Sequence, residues 1–318
     1  MEFCLEAQPL CKENLVSNRP LVSILINNYN YGRFLPEAID SALSQTYKDV
    51  EVVVVDDGST DESRDLLAGY GSRVISVLKE NGGQSSAFNA GFARSGGDLI
   101  CFLDSDDIFA AEKVATIVKV FEAHPEIGWC FDRVRKFDHT SGEQSALVPN
   151  WEVGRVDVRR DMSAGTPPNM PTITSGISIR REVLSRILPM PEFIRITSDG
   201  YIKLSALALA EGWRIADEVT LQRIHGSNLY TDRSSGKKQL MSKTGVLTGI
   251  SLWERFPGLQ RLGTRLFSRN LGMCWMSGGF EPECKELARA FWAKLPPRAR
   301  TQILLEAAYW SARDLVLG

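Results

Sequence analysis

Through its first half the chain alternates short apolar runs with segments whose apolar residues recur every three or four positions. Leu21 to Asn27 and Val52 to Val55 are runs of the kind presented by strands buried on both faces. Between them, Phe34 to Gln45 carries Leu35, Ile39, Ala42 and Leu43 along one helical face. Further on, Asp61 to Tyr70 reads as helix and Val74 to Leu78 as strand. Gln84 to Arg94 reads as a helix entered through Asn81, Gly82 and Gly83. Ala111 to Ala123 is a helix with Val114, Ile117, Val118 and Phe121 inward, ended near Pro125, and Phe131 falls in a further strand. Alternating β and α units of this length predict a doubly wound parallel sheet. No GxGxxG follows the first strand, which argues against the usual dinucleotide fold.

Two of these strands end in carboxylates. Val52 to Asp61 reads VVVVDDGSTD, so Asp56 and Asp57 fall at the carboxyl end of a strand, where open α/β sheets form their ligand crevices. The pair either lines such a crevice or makes a turn. Ser59 and Glu62 fit a capping box that would start the next helix. The pattern returns in DLICFLDSDD, Asp98 to Asp107, with Asp104, Asp106 and Asp107 at its end. Three acids so close repel one another in a partly desolvated crevice unless a cation or hydrogen-bond donors compensate. A hard ion, Mg²⁺ or Mn²⁺, suits an oxygen-only ligand set, and a solvated acidic turn is the other reading.

Composition narrows the class. The 318 residues, 43% hydrophobic and 24% charged, suit one large domain with an appendage or two domains, and no run of about 18 apolar residues is present to span a bilayer. Glu2 and Glu6 stand where a secretory signal carries positive charge, so the expected location is the cytoplasm. Six cysteines without a CxxC pair read as reduced thiols, with neither a zinc site nor a disulfide framework. The net charge of −2 conceals an asymmetry. From Ser235 onward thirteen Lys and Arg face six Asp and Glu, a net of +7, which leaves −9 on the residues before it. An acidic body argues against nucleic acid as its main ligand.

Four motifs together carry a resemblance. VSILINNYN at Val22, SALSQTYKDVEVVVVDDGSTD at Ser41, ENGGQSSAFNAG at Glu80 and GGDLICFLDSDD at Gly96 are similar, in order and spacing, to those of family 2 glycosyltransferases. The likeness is strong from Leu21 to Phe121 and weaker to about His225, and it departs at Asn27, where the family usually has proline. It implies a GT-A fold: an α/β, doubly wound mixed sheet flanked by helices, with a C-terminal helical appendage. The corresponding division is a tail over 1–19, a GT-A domain over 20–233 and a helical region over 234–318. The implied activity is inverting, metal-dependent transfer of a single sugar from a nucleoside diphosphate sugar, preferably UDP-linked, to a hydroxyl of a glycan, lipid-linked or small-molecule acceptor.

The resemblance also implies roles for single residues. Asp57 would accept a hydrogen bond from a base NH, with Asn27 and Tyr29 lining the same pocket and Asn81 and Gln84 flanking it at a helix start. Asp104 would approach the ribose and metal-bound water, and Asp106 would ligate a Mn²⁺ or Mg²⁺ ion bridging the phosphates. Asp107 would cap the next helix. Arg223, His225 and Asn228 match an R-x-H-x-x-N stretch whose histidine can complete the metal shell, although a histidine bonded within a loop reads equally well. His124 and His139 read as solvated. Asp199 matches the family's catalytic base, with Ser198 where a partner acid usually stands; a plain helix-start aspartate is the alternative. The chain lacks the Q-x-x-R-W motif of processive members and the G-x-G-T-R signature of sugar nucleotidyltransferases. A catalytically silent GT-A domain, serving as a nucleotide-sugar or glycan binding module, is the rival from another class.

Two regions carry weaker signals. Ser163 to Ser175, SAGTPPNMPTITS, either shapes an acceptor site, acts as a lid or merely connects. Past Ser234, Arg261, Arg265 and Arg269 recur beside Leu262, Leu266 and Phe267; Leu287, Phe291 and Leu295 form a second stripe, and Leu304, Ala308 and Leu315 a third. Such stripes pack on the parent domain, on a second copy, or against an anionic membrane.

Overall fold

The computed structural model describes residues 19–146, 152–169, 172–226, 228, 235–276, 279–280 and 282–317. Its first layer follows the predicted alternation: β1 (Val22–Asn28), α1 (Leu35–Leu43), β2 (Val50–Asp57), α2 (Ser63–Tyr70), β3 (Ile75–Lys79), α3 (Gln84–Arg94) and β4 (Leu99–Asp104). Next come β5 (Ile108–Phe109), α4 (Lys113–Ala123), β6 (Trp129–Phe131), β7 (Val134–Asp138), β8 (Gln144–Ala146), β9 (Gly154–Val156) and α5 (Arg159–Ser163). The sheets are completed by β10 (Ile177–Arg180), α6 (Arg181–Leu184), α7 (Asp199–Leu209), β11 (Gly212–Arg214) and β12 (Thr220–Ile224). Four helices follow: α8 (Ser235–Arg255), α9 (Gln260–Met276), α10 (Pro282–Lys294) and α11 (Pro297–Leu317).

The main sheet has the order β3-β2-β1-β4-β10-β6-β11-β9, and a smaller one runs β5-β12-β7-β8. The strands β3, β2, β1 and β4 are parallel, as the continuous apolar runs predict, but β10 joins antiparallel to both β4 and β6. The sheet is therefore mixed, as the resemblance implied, and not wholly parallel as the β/α alternation suggested. Both faces are covered. Ile24, Ile26, Val52, Val54, Cys101 and Leu103 meet α1 and α4 in one cluster, whereas Leu25, Val53, Ile100 and Phe102 join Phe88 of α3 in the other. Leu262, Phe267 and Leu271 of α9 and Phe291 of α10 belong to that second cluster, so the C-terminal helices share a core with the sheet.

Two local expectations are corrected. Ser59 caps no helix: α2 begins at Ser63, and the Ser59 hydroxyl instead accepts from Asn30 N (2.9 Å) and Asn28 Nδ2 (3.2 Å). Asp61 does the local tethering, accepting from Ser63 N (3.1 Å) and Gly32 N (2.9 Å). Asp107 is likewise no helix cap, since it turns inward to accept from Ser175 Oγ (2.6 Å) and Arg223 N (3.0 Å). Burying a carboxylate there is tolerable because donors from two other elements meet it. Cys101, Cys130, Cys274 and Cys284 are buried and form no disulfide with one another, while Cys4 and Cys11 lie outside the described residues, as does most of the 1–19 tail. No helix among the described residues is long and apolar enough to cross a membrane.

Candidate functional site

Strand pleating separates the two aspartates at the end of β2. Asn28 pairs with Asp56 in the β1–β2 register, and Asn28 Nδ2 donates to Asp56 Oδ2 (3.0 Å). Arg64 Nε (2.7 Å) and Ser59 N (3.0 Å) complete the shell of Asp56, which is wholly buried. Burial alone would raise the Asp56 carboxyl, but the hydrogen bonds from Arg64, Ser59 and Asn28 outweigh it and hold the group below its ordinary range. Asp56 is thus a structural latch.

Asp57 faces the other way, on the side of Val53 and Leu25. Asn27 and Asp104 are register partners on that same face of β1 and β4. The Asp57 carboxylate accepts from Lys79 Nζ (2.6 Å), Gly82 N (2.9 Å) and Gly83 N (2.7 Å). A carboxylate has about four lone-pair sites, so one is left. The close approach needs glycine. A Cβ on Gly58 (φ +83) would lie 2.6 Å from Asn81 N, and one on Gly83 (φ +87) 2.7 Å from Arg195 O. Asn81 Nδ2 donates to Asp57 O (3.0 Å), and Asn81 Oδ1 accepts from Arg195 (2.9 Å). The amide of Asn27 has both polar atoms shut from solvent, with no hydrogen-bond partner among the described residues. Tyr29, 47% exposed, lines a pocket of about 240 Å³ with Asn30, Tyr31, Arg33 and Phe34.

The acidic motif lies at the adjoining strand end. Asp104 N donates to Ser175 Oγ (3.0 Å), fixing the end of β4 to the turn before β10. Burial, then the charges of Asp106 and Asp199, push the Asp104 carboxyl up to about 8, although a hydrogen bond from Thr174 and the nearby Lys203 act the other way. Burial, then the charges of Asp106 and Asp104, raise Asp107 well above the carboxylate range. His225 Nε2 lies 3.1 Å from Asp106 Oδ2, which also accepts from Asn228 Nδ2 (3.2 Å). Asp106 and His225 thus come together, as the resemblance implied. Among the described residues no three His, Cys, Asp or Glu converge as a closed metal cage. The Asp106 carboxylate and the His225 imidazole, brought together from two elements, would suit an open site for a cation such as Mn²⁺ or Mg²⁺.

Asp199 opens α7 and is buried, its Oδ2 paired with Lys203 Nζ at 2.9 Å. Ser198, not Asp199, is the N-cap residue. The chain reaches it through Thr197, whose φ of 48° is a left-handed conformation unfavourable for a β-branched residue. Gln84 anchors this bend, its Oε1 accepting from both Ser198 N and Ser198 Oγ at 2.9 Å. Gln84 therefore links the start of α3 to the start of α7.

Tyr31, Lys113 and Asp132 carried no sequence signal, and Arg223 has contacts that its motif did not foretell. Tyr31 packs edge-on to His225 with centroids 5.6 Å apart, and burial, followed by Asp106, Asp104 and Asp107, pushes its phenol up to about 12. Arg223 is 2% exposed and ties the Asp106 carbonyl (3.0 Å) to Glu37 of α1 (2.5 Å) and to His139 (3.0 Å). His139 is thus exposed yet bonded, and His124 stacks on Trp213 with centroids 3.8 Å apart, where solvated rings were expected. Lys113 and Asp132 form a fully buried pair whose ammonium also reaches Ser175 O (2.9 Å) and Thr220 Oγ1 (2.8 Å). Only the long-range pairing of α4, β12 and the 174–176 turn assembles them. In the 163–175 loop, Lys203 donates to Thr172 O (2.7 Å), while residues 170 and 171 lie outside the described set.

The Glycosyl transferase family 2 model matches residues 23–188, more than half of the chain. An uncharacterized glycosyltransferase of Nostoc sp. is 34% identical over 244 residues, 74% of each protein. One from Rickettsia prowazekii is 45% identical over 103 residues, so the matched stretch spans only 32% of that relative. Among solved structures, Staphylococcus aureus TarS 1-349 in complex with UDP-GlcNAc superposes with a TM-score of 0.62 at 17% identity, covering 92% of this chain and 88% of that one. The mannosyltransferase PcManGT from Pyrobaculum calidifontis, in complex with GDP-Man and Mn²⁺, gives 0.52 at 19%, covering 94% and 88%. These last two likenesses are of fold. With the family model spanning most of the parallel sheet and the Nostoc relative extending the match, the chain belongs to glycosyl transferase family 2 and is a glycosyltransferase of GT-A fold.

Proposed function

We propose that this glycosyltransferase moves one sugar from a nucleoside diphosphate sugar, a UDP-sugar by preference, to a hydroxyl of a glycan, lipid-linked or small acceptor, with inversion. The observation that carries the reading is that Asp106 and Asp199 both lie close enough to Asp104 for their charges to raise its carboxyl. In this reading Asp57 takes the base NH on its spare lone pair, and Tyr29 supplies a ring surface beside it. The enclosed Asn27 amide and Asn81 bound the same pocket. Gln84 spends its carbonyl on Ser198 and offers its amide to the donor. Asp104 accepts from the ribose. Asp106 and His225 would hold the cation, Mn²⁺ or Mg²⁺, which would stabilise charge gathering on the departing diphosphate. Lys203 pairs with Asp199 Oδ2, and the other oxygen takes the acceptor proton as the acceptor oxygen attacks the anomeric carbon opposite the leaving group.

The UDP complexes of TarS support the donor preference, and the GDP-Man complex of PcManGT makes guanine the alternative to test. Calorimetric titration with UDP, GDP and dTDP, with and without Mn²⁺, decides between them. Tight binding of UDP that needs Mn²⁺ and is lost in Asp106→Ala is expected. Binding of none of the three nucleotides overturns the reading, and a preference for GDP overturns the choice of base.

A further inference from the structure

The last helix leaves an apolar face uncovered, in a region the candidate site does not use. One side of α11 packs on α9 through Ile303 and Ala307, both fully buried, and Ser311 Oγ donates to Gly272 O (3.0 Å). On the opposite side Leu304, Leu305 and Tyr309 are 46%, 69% and 60% exposed, with Ala308 and Ala312 exposed beside them. At the end of α9, Trp275 and Met276 are each 47% exposed. A helix apolar on both sides is ordinarily covered on both. The fringe of this face is basic. Trp310 lies between two exposed arginines, with the guanidinium carbons of Arg269 and Arg313 5.0 and 5.1 Å from its ring centroid, and Arg298 is exposed at the start of α11. Glu306 accepts from Ser268 of α9 and from the exposed Gln302 of its own helix.

We infer that this face docks on an anionic lipid surface, with Leu304, Leu305 and Tyr309 entering the headgroup–acyl boundary and Arg269, Arg298 and Arg313 meeting lipid phosphates. Charge selects that occupant. The chain from Ser235 onward carries +7 and the residues before it −9, so an anionic surface attracts this end and repels the rest. A second copy docked through a two-fold axis would set the same arginines against one another. Aromatic and arginine side chains over an aliphatic stripe suit the boundary between headgroups and acyl chains, where apolar stems and polar tips are both accommodated.

Co-sedimentation with vesicles tests it, using phosphatidylcholine alone and phosphatidylcholine mixed with phosphatidylserine. The full chain should pellet with the mixed vesicles only, and raising the salt to about 1 M, where screening acts over about 3 Å, should release it. Leu305→Ser with Tyr309→Ser should cut the bound fraction at least about tenfold, as should Arg269→Ser with Arg313→Ser, since apolar area and charge both contribute. Both pairs are exposed, so thermal midpoint and nucleotide binding should stay as in the parent. Equal binding to neutral vesicles, binding to neither, or a dimer that the serine variants split would each overturn the assignment.

Discussion

Asp199 and Asp106 are expected to fail in different ways when changed. Asp199→Asn keeps the size and the start of α7 but cannot take a proton, so turnover should fall by about 10²–10⁴ while donor affinity stays within a factor of a few. Steady-state kinetics beside nucleotide titration reads both, and a loss confined to donor affinity would remove Asp199 from the role of base. Asp106→Ala should abolish metal-dependent turnover with little change in melting temperature, because among the described residues its carboxylate meets His225 and Asn228 at the rim of the site. Asp107→Ala should do the opposite. It strands the donors Ser175 Oγ and Arg223 N in the interior, at about 1–3 kcal/mol for each unpaired group, and should appear first as a lower melting temperature. Equal effects of the two alanine variants on both readouts would refute this division. The resemblance already set Asp106, as metal ligand, apart from Asp107, but made Asp107 a helix cap, because near neighbours of one kind do not reveal their long-range partners. The turn that follows β4 and the distant partners Ser175 and Arg223 tell the two aspartates apart.

Strand β2 shows how an element sorts its own chemistry. The valine run made the strand legible, and alternation puts Asp57 on the site face and Asp56 on the opposite one, yet the sequence treats them as a pair. Asp56 is held by Asn28, Ser59 and Arg64, of which only Ser59 was noticed, and for a helix cap it does not make. Capping-box spacing is local, whereas Ser59 is claimed by β1 and the turn that follows it, contacts some thirty positions away. The latch has a pH signature. The folded-state pKa of Asp56 lies below its ordinary 3.8, so on acidification the unfolded chain takes up this proton first. The latch's contribution is therefore whole above about pH 4 and drains away as pH falls through the folded-state value. Asp56→Asn should be less stable than the parent at neutral pH and lose less on going from about pH 5 to pH 3. Urea unfolding across that range reads the two slopes, and parallel curves would show that Asp56 contributes nothing pH-dependent.

At the scale of the molecule, the boundary proposed near residue 234 falls in a stretch outside the described residues, and the core runs past it. Phe267 of α9 is 1% exposed and lies in the same cluster as Ile100 and Phe102 of β4, the strand that ends in Asp104. The apolar stripes after Ser234 were legible as helices needing a partner. Which partner was not, because periodicity gives a face and not what it meets. In the structure α8 and α11 take the inner faces of α9, and α8 that of α10, within a core continuous with the sheet's, while α11 keeps its outer face exposed. Shared core implies shared unfolding. Phe267→Ala should cost about 3–5 kcal/mol, the range for emptying an aromatic site in a packed core. The loss should move both the tryptophan fluorescence transition and the loss of nucleotide binding to the same lower urea concentration. Coincidence of the two probes in parent and variant would mark the helical region as part of the catalytic domain's folding unit. A fluorescence transition that moves while nucleotide binding persists to the parental midpoint would make it an independent domain.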